Sequence, residues 1–232
     1  MQTIGLLGGM SWESTLSYYK ALNEGVKSQL GGLHSAKVII NSVDFADIER
    51  LQHQGNWDEL ASMLAQAACA VEAAGADFLL IGTNTMHKVA PQVEAAISIP
   101  LVHIADETAR QLLADGVSRV GLLGTAFTME QDFYKGRLTE QFGIEVLIPD
   151  ATQRGDIHRV IYDELCQGQI HAVSRARYLE VIADLQRQGA QAIILGCTEI
   201  ALLVGSEHTD IPLYDTTAIH AAAAVRCALG DR

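Results

Sequence analysis

The stretch TIGLLGGM, Thr3 to Met10, decides the fold because it returns as RVGLLGTA, Arg119 to Ala126. Each copy is an apolar run of strand length that stops at glycine and small residues, as a buried strand entering a turn does. A second pair follows in the same order, GADFLLIGTNT from Gly75 and GAQAIILGCTE from Gly189. A third matches Ile99-Pro100-Leu101 with Ile211-Pro212-Leu213. The copies lie about 112 to 116 residues apart throughout, so two α/β units of like topology are the simplest account, although generic strand-loop-helix patterning contributes some of the likeness.

Working outward, apolar runs at Thr3 to Leu7, Lys37 to Ile40, Asp77 to Ile81, Arg119 to Leu123, Glu145 to Ile148 and Gln191 to Leu195 alternate with stretches of helical period. Parallel strands joined by crossover helices read this way. Leu60, Leu64, Ala67 and Val71 fall on one helical stripe, as do Tyr178, Ile182 and Leu185, and both stripes are expected against a sheet. The boundary is expected around Gly116 to Ser118, after a helix over Asp106 to Asp115, which gives units of 1–117 and 118–232. The closing helix, from about residue 216, is left free to pack back on the first unit. The fold class expected is α/β: two pseudo-symmetric units with parallel-sheet cores and the active site in the cleft between them.

Composition narrows the partners. The 232 residues are 49% hydrophobic, enough to bury a core without disulfides or metals. Twenty-eight acidic against 16 basic side chains leave a net charge of −12, which repels nucleic acid and anionic membrane surfaces alike. No run approaches the length of a membrane span, and no basic segment precedes the first apolar stretch, so a cytoplasmic protein is expected. Cys69, Cys166, Cys197 and Cys227 form no C-x-x-C pair and no zinc spacing, so no metal site is expected.

In parallel sheets ligands bind beyond the carboxyl ends of the strands. Four loops lie there: Gly8-Gly9-Met10-Ser11, Gly82-Thr83-Asn84-Thr85, Gly124-Thr125-Ala126 and Gly196-Cys197-Thr198-Glu199. Each offers a glycine and then small polar residues that cap a following helix, with N–H donors suited to a small dicarboxylate. The first loop lacks both the lysine of a phosphate-binding loop and the spacing of a dinucleotide fingerprint, and it also fits a plain tight turn with Ser11 as a cap. Cys197 follows a strand directly, where a helix dipole would lower its pKa, whereas Cys69 and Cys227 read as inert core thiols and Cys166 lies at a helix end. The repeat sets Thr83 at the equivalent point of the other unit. A residue on each side of a bound carbon is what removal of a proton from one face and delivery to the other requires. His87, His103 and His158 lie nearest these loops, and a Cys-His hydrolase built on Cys197 stays open.

Gly8-Gly9-Met10-Ser11-Trp12-Glu13-Ser14-Thr15, Asn84-Thr85-Met86-His87 and Gly196-Cys197-Thr198-Glu199 together resemble the cofactor-independent aspartate/glutamate racemase family, in its aspartate and broad-specificity branch. The likeness spans essentially the whole chain. It implies two α/β units, commonly a homodimer, an acidic amino acid as substrate, no cofactor, and two opposed cysteines as acid and base. Carried over by position, Cys197 is the cysteine that acts on the L-face proton. Asn84, Thr85, Thr198 and Glu199 would hold the α-carboxylate and amino group. Met10, Ser11 and Thr125 would line the site, with Arg50 and Gln52 toward the side-chain carboxylate. The chain departs from the family at Thr83, where the first cysteine usually stands, and at Cys166-Gln167, where some relatives carry a lysine. The resemblance thus implies a racemase of L-aspartate and/or L-glutamate with an L-side kinetic preference. Its alternatives are a single-cysteine decarboxylase of the same superfamily and a non-catalytic dicarboxylate sensor.

Overall fold

All six apolar runs form parallel strands, four of them almost wholly buried between flanking helices and two, Val38–Ser42 and Glu145–Leu147, partly exposed. The structure, a computed structural model, describes residues 1–230. The first half runs β1 (Ile4–Gly8), α1 (Trp12–Leu30), β2 (Val38–Ser42), α2 (Phe45–Gln54), α3 (Trp57–Ala73), β3 (Phe78–Ile81), a 3-10 turn at Thr85–Val89 and α4 (Ala90–Ala96). Then come α5 (Ile104–Ala114), β4 (Arg119–Gly124), α6 (Ala126–Glu130), α7 (Asp132–Phe142), β5 (Glu145–Leu147) and α8 (Ala151–Asp163). The chain ends with α9 (Ala172–Arg187), β6 (Ala192–Gly196), α10 (Ile200–Leu203), β7 (Leu213–Asp215) and α11 (Thr216–Leu229).

The sheets are ordered β2-β1-β3 and β5-β4-β6-β7. The repeat is visible in the hydrogen bonds. Leu79 N donates to Pro100 O at 2.9 Å, and Ile193 N donates to Pro212 O at 2.9 Å. Leu101 makes only an isolated bridge to Leu79, while its echo at Leu213 extends into β7, a strand that the apolar runs did not mark because Pro212 precedes it and Asp215 ends it.

In the first unit the period of two along each strand sorts side chains to two cores. Leu7, Leu79 and Ile81 pack with the α2 and α3 residues Ile48, Leu51, Leu60 and Leu64. Ile4, Leu6, Phe78 and Leu80 pack with Tyr18, Leu22 and Val26 of α1 and with Ala221, Ala224 and Val225 of α11. In the second unit Val120, Leu122, Ile193 and Ile194 are fully buried, as are Tyr178 and Leu185 on the expected α9 stripe.

The division of the chain differs from the boundary expected near residue 118. One unit comprises Met1–Ile104 and the chain from His220 onward, the other Ala105–Ile219. The Gly116 turn ends a helix, not a unit: α5 is tied forward to α7 by Arg137, whose Nη2 donates to Asp106 Oδ2 at 2.9 Å. Within α11, the residues from His220 group with the first of these units.

His220 anchors that return. Its Nε2–H donates to Val102 O at 2.7 Å, which leaves Nδ1 to accept from Tyr18 OH at 2.8 Å. Burial pushes its pKa down to about 4, against a slight upward pull from the Val102 bond. The unfolded chain therefore binds a proton that the folded chain refuses between the ordinary histidine value and about 4, so stability falls as pH drops through that window. We expect a loss of about 2 kcal/mol between roughly pH 7 and pH 5 from this group, and a flatter profile in His220→Gln. Urea melts of both proteins at the two pH values check this. Parallel profiles would contradict it.

Candidate active site

Both glycines that precede the candidate proton-transfer residues are fixed by close approach. A Cβ at Gly82 would stand 2.9 Å from Leu7 O, and one at Gly196 would stand 2.8 Å from Leu123 O. Real Cβ atoms essentially never come so near, so each strand can turn out at its carboxyl end only because the residue there is glycine. Thr83 and Cys197 follow directly, at equivalent points of the two units, and each keeps some exposed surface while Gly82, Asn84, Thr85 and Gly196 are buried.

In the first unit, the loops after β1 and β3 are brought together. Ser14 Oγ donates to Gly82 O at 3.2 Å, and Gly9 N donates to Thr15 Oγ1 at 2.7 Å. Ser11 caps α1 by accepting from Ser14 N, as its sequence position suggested. Met10, Ser11, Asn84 and Thr85 are all buried here. Gln52 joins them, because its Nε2 donates to Met86 Sδ at 3.1 Å. Arg50 does not. Two residues along α2 it turns outward, half exposed, to pair with Asp47 at 3.3 Å.

In the second unit, Thr125 caps α6 by accepting from Thr128 N, and the register Gly124↔Gly196 sets its loop beside Cys197. His158 Nδ1 accepts from Ala126 N at 3.1 Å, so that ring serves the backbone. Cys197 Sγ–H donates to Glu199 Oε2 at 2.9 Å, and Thr198 Oγ1 donates to the same oxygen at 2.6 Å.

This arrangement overturns the expected low thiol pKa. Burial raises it well above the ordinary value, and the Glu199 carboxylate, then Cys166, add to the rise. The favourable dipole loses because α10 is a single turn of four residues, whereas the carboxylate is in direct contact. The resting group is a thiol. Cys166, Tyr178 and Glu164 also gather around this centre, a neighbourhood with no signal in sequence spacing beyond the segment that resemblance singled out. The other two thiols divide: Cys227 packs on the apolar core of the first unit, but Cys69 is exposed, with Sγ donating to Ala96 O, rather than buried as expected. Among the described residues no group of three or more His, Cys, Asp or Glu is placed to hold a metal ion, and no helix is long and apolar enough to cross a membrane.

Residues 7–224, which carry all four loops, match the model of the Asp/Glu/hydantoin racemase family. The chain belongs to that family. It is 55% identical to a Yersinia pestis protein assigned as an Asp/Glu racemase, whose crystal structure superposes with a TM-score of 0.92 over 99% of this chain and 100% of that one. An aspartate racemase homologue from Pyrococcus horikoshii OT3 is 32% identical, with a TM-score of 0.84 over 99% and 100% of the two chains. The broad-specificity amino-acid racemase RacX of Bacillus subtilis (strain 168) is 24% identical over 230 residues, 96% of either chain. Membership makes the protein an isomerase, built on the fold those racemases share.

The Cys197–Glu199 contact has a measurable consequence. Removing the negative charge in Glu199→Gln lowers the thiol pKa, so at about pH 7.5 alkylation of Cys197 by iodoacetamide should accelerate several-fold. Peptide mapping follows each cysteine separately, with exposed Cys69 as the internal reference. A Cys197 profile unmoved by the substitution would show that Glu199 does not hold its proton.

Proposed function

We propose that the protein racemises L-aspartate and/or L-glutamate without a cofactor, with Cys197 acting on the L-face α-proton and Thr83 on the opposite face of the carbon. The observation that carries this reading is the equivalence of Thr83 and Cys197: each follows a glycine packed on a neighbouring strand carbonyl, and each keeps some exposed surface. The activities for which the relatives are named supply the substrate class.

The steps follow from the hydrogen bonds. Cys197, whose S–H donates to Glu199 in the resting protein, gives its proton to solvent when the substrate binds. The thiolate then takes the α-proton of the L-substrate and becomes a thiol again. The carbanion accepts a proton on its other face from the Thr83 hydroxyl, which draws one from water, and the proton that Cys197 gave to solvent neutralises the hydroxide left behind. A substrate ammonium near Glu199 offsets the charge that otherwise keeps the thiol protonated. Asn84, Thr85 and Thr198 are assigned to the α-carboxylate, and buried Gln52 to the side-chain carboxylate ahead of outward-facing Arg50. Met10, Ser11 and Thr125 shape the surroundings.

A hydroxyl is a far weaker acid than a thiol, so the D-face step is slow and the enzyme favours L-substrates kinetically. The equilibrium constant is unaffected, and the one-sidedness lies in rate and affinity for D. Cys197→Ser is expected to lower L-turnover by about 100-fold or more, while the fold and dicarboxylate binding are retained. Thr83→Cys should raise turnover of the D-enantiomer by about tenfold or more, because a thiol of similar size replaces the hydroxyl. Chiral chromatography of products from each enantiomer measures both. Near wild-type activity in Cys197→Ser would refute the assignment. Carbon dioxide released from an arylmalonate, in place of racemisation, would favour the decarboxylase.

A further inference from the structure

Thr83 is a poor acid, so its usefulness rests on where its hydroxyl is held, and the structure shows what holds it. Its β-branched side chain has few rotamers, so the hydroxyl follows the backbone. That backbone is pinned before and after the residue. Gly82 N donates to Leu7 O at 2.8 Å on one side, and on the other the Thr83 carbonyl lies 2.8 Å from His87 Nδ1.

The tautomer of His87 can be deduced. Ile104 N–H, which can only donate, points at Nε2 from 3.3 Å. Nε2 therefore offers its lone pair and Nδ1 carries the hydrogen, which it donates to Thr83 O. With both nitrogens so engaged the imidazole is neutral and is not a base for Thr83. It is instead a rigid strut between the Thr83 loop and the start of α5. The ring is buried, with His103 packed edge-on at 4.5 Å and His220 at 6.0 Å, and His220 is itself fixed between Tyr18 and Val102. The mechanism above uses none of these rings.

We infer that His87 is the positioning residue of the Thr83 half-reaction: its Nδ1–H bond to the Thr83 carbonyl sets the direction of the hydroxyl and so controls proton delivery to the D-face, leaving the Cys197 step largely alone. The inference rests on the function proposed above. Displacement of a proton-transfer group by about 1 Å can cost on the order of 100-fold in rate, which a weak acid has no reserve to absorb.

The test compares wild type with His87→Ala, which removes the donor, and His87→Asn, whose Nδ2–H reaches nearly the same place. With L-glutamate and L-aspartate in deuterated water, NMR follows α-proton exchange within the L-form, and chiral chromatography follows appearance of the D-form. In His87→Ala, D-formation should fall by about tenfold or more while L-exchange falls by less than about threefold, and His87→Asn should recover most of the lost D-formation. A merely structural role would lower both rates together and would gain nothing from asparagine. Either result overturns the inference. Long-range ¹⁵N–¹H correlation spectra of the wild-type protein give a readout independent of turnover and of whether His87→Ala folds. The Nδ1–H tautomer is expected, and a ring protonated at Nε2 overturns the inference. If instead the tautomer is as stated but wild type exchanges neither substrate, the functional reading has failed, and with it the positioning role, while the strut itself stands.

Discussion

The constraint on which the rest depends is the approach of a strand end to the carbonyl of its neighbour. At Gly82 and Gly196 there is no room for a Cβ, and the chain turns out of the sheet immediately afterwards. That turn brings a short polar loop to the carboxyl edge in each unit, beside the loops that begin at Gly8 and Gly124. Alanine at either glycine would meet backbone, not a yielding side-chain tip, so the strand pairing would have to shift and the following residue with it.

Local chemistry then makes the two equivalent loops unlike. The loop of the second unit carries a thiol whose pKa is raised by burial first and then by the carboxylate two residues on. That of the first carries a hydroxyl braced by a neutral histidine. In the function proposed above, this thiol, hydrogen-bonded to a buried carboxylate, is a base held in reserve, to be released when a cation compensates the carboxylate. An α-amino acid would bring such a cation on the atom next to the carbon that reacts, and so couple activation of the base to occupancy by the right class of substrate.

Much of this was legible in the sequence, for identifiable reasons. Continuous apolar runs made β1 to β6 stand out, and the repeated Gly-Thr and Gly-Cys endings located the polar loops. β7 escaped because its apolar run is broken by Pro212 and ended by Asp215, although the Ile-Pro-Leu echo had marked its place. The grouping of α5 with the chain that follows it rests on contacts between distant positions, such as the Arg137–Asp106 pair, which no local pattern announces. The direction of the Cys197 pKa shift was also beyond sequence. The letters Cys-Thr-Glu do not say that the carboxylate folds back onto the sulfur, nor that the helix whose dipole would oppose it is one turn long. Arg50 and Gln52 looked alike as candidates until the helix set one outward and one inward.

The central claim is that one chain breaks the α-carbon–hydrogen bond of an acidic amino acid from two unequal sides. Its most direct test is the rate at which wild-type protein washes the α-hydrogen of L-glutamate, D-glutamate and the corresponding aspartates into deuterated water, followed by proton NMR under identical conditions. The account predicts α-deuterium in the L-enantiomer well ahead of the D-enantiomer. Equal rates from both enantiomers, or no deuterium in any of the four, would contradict it.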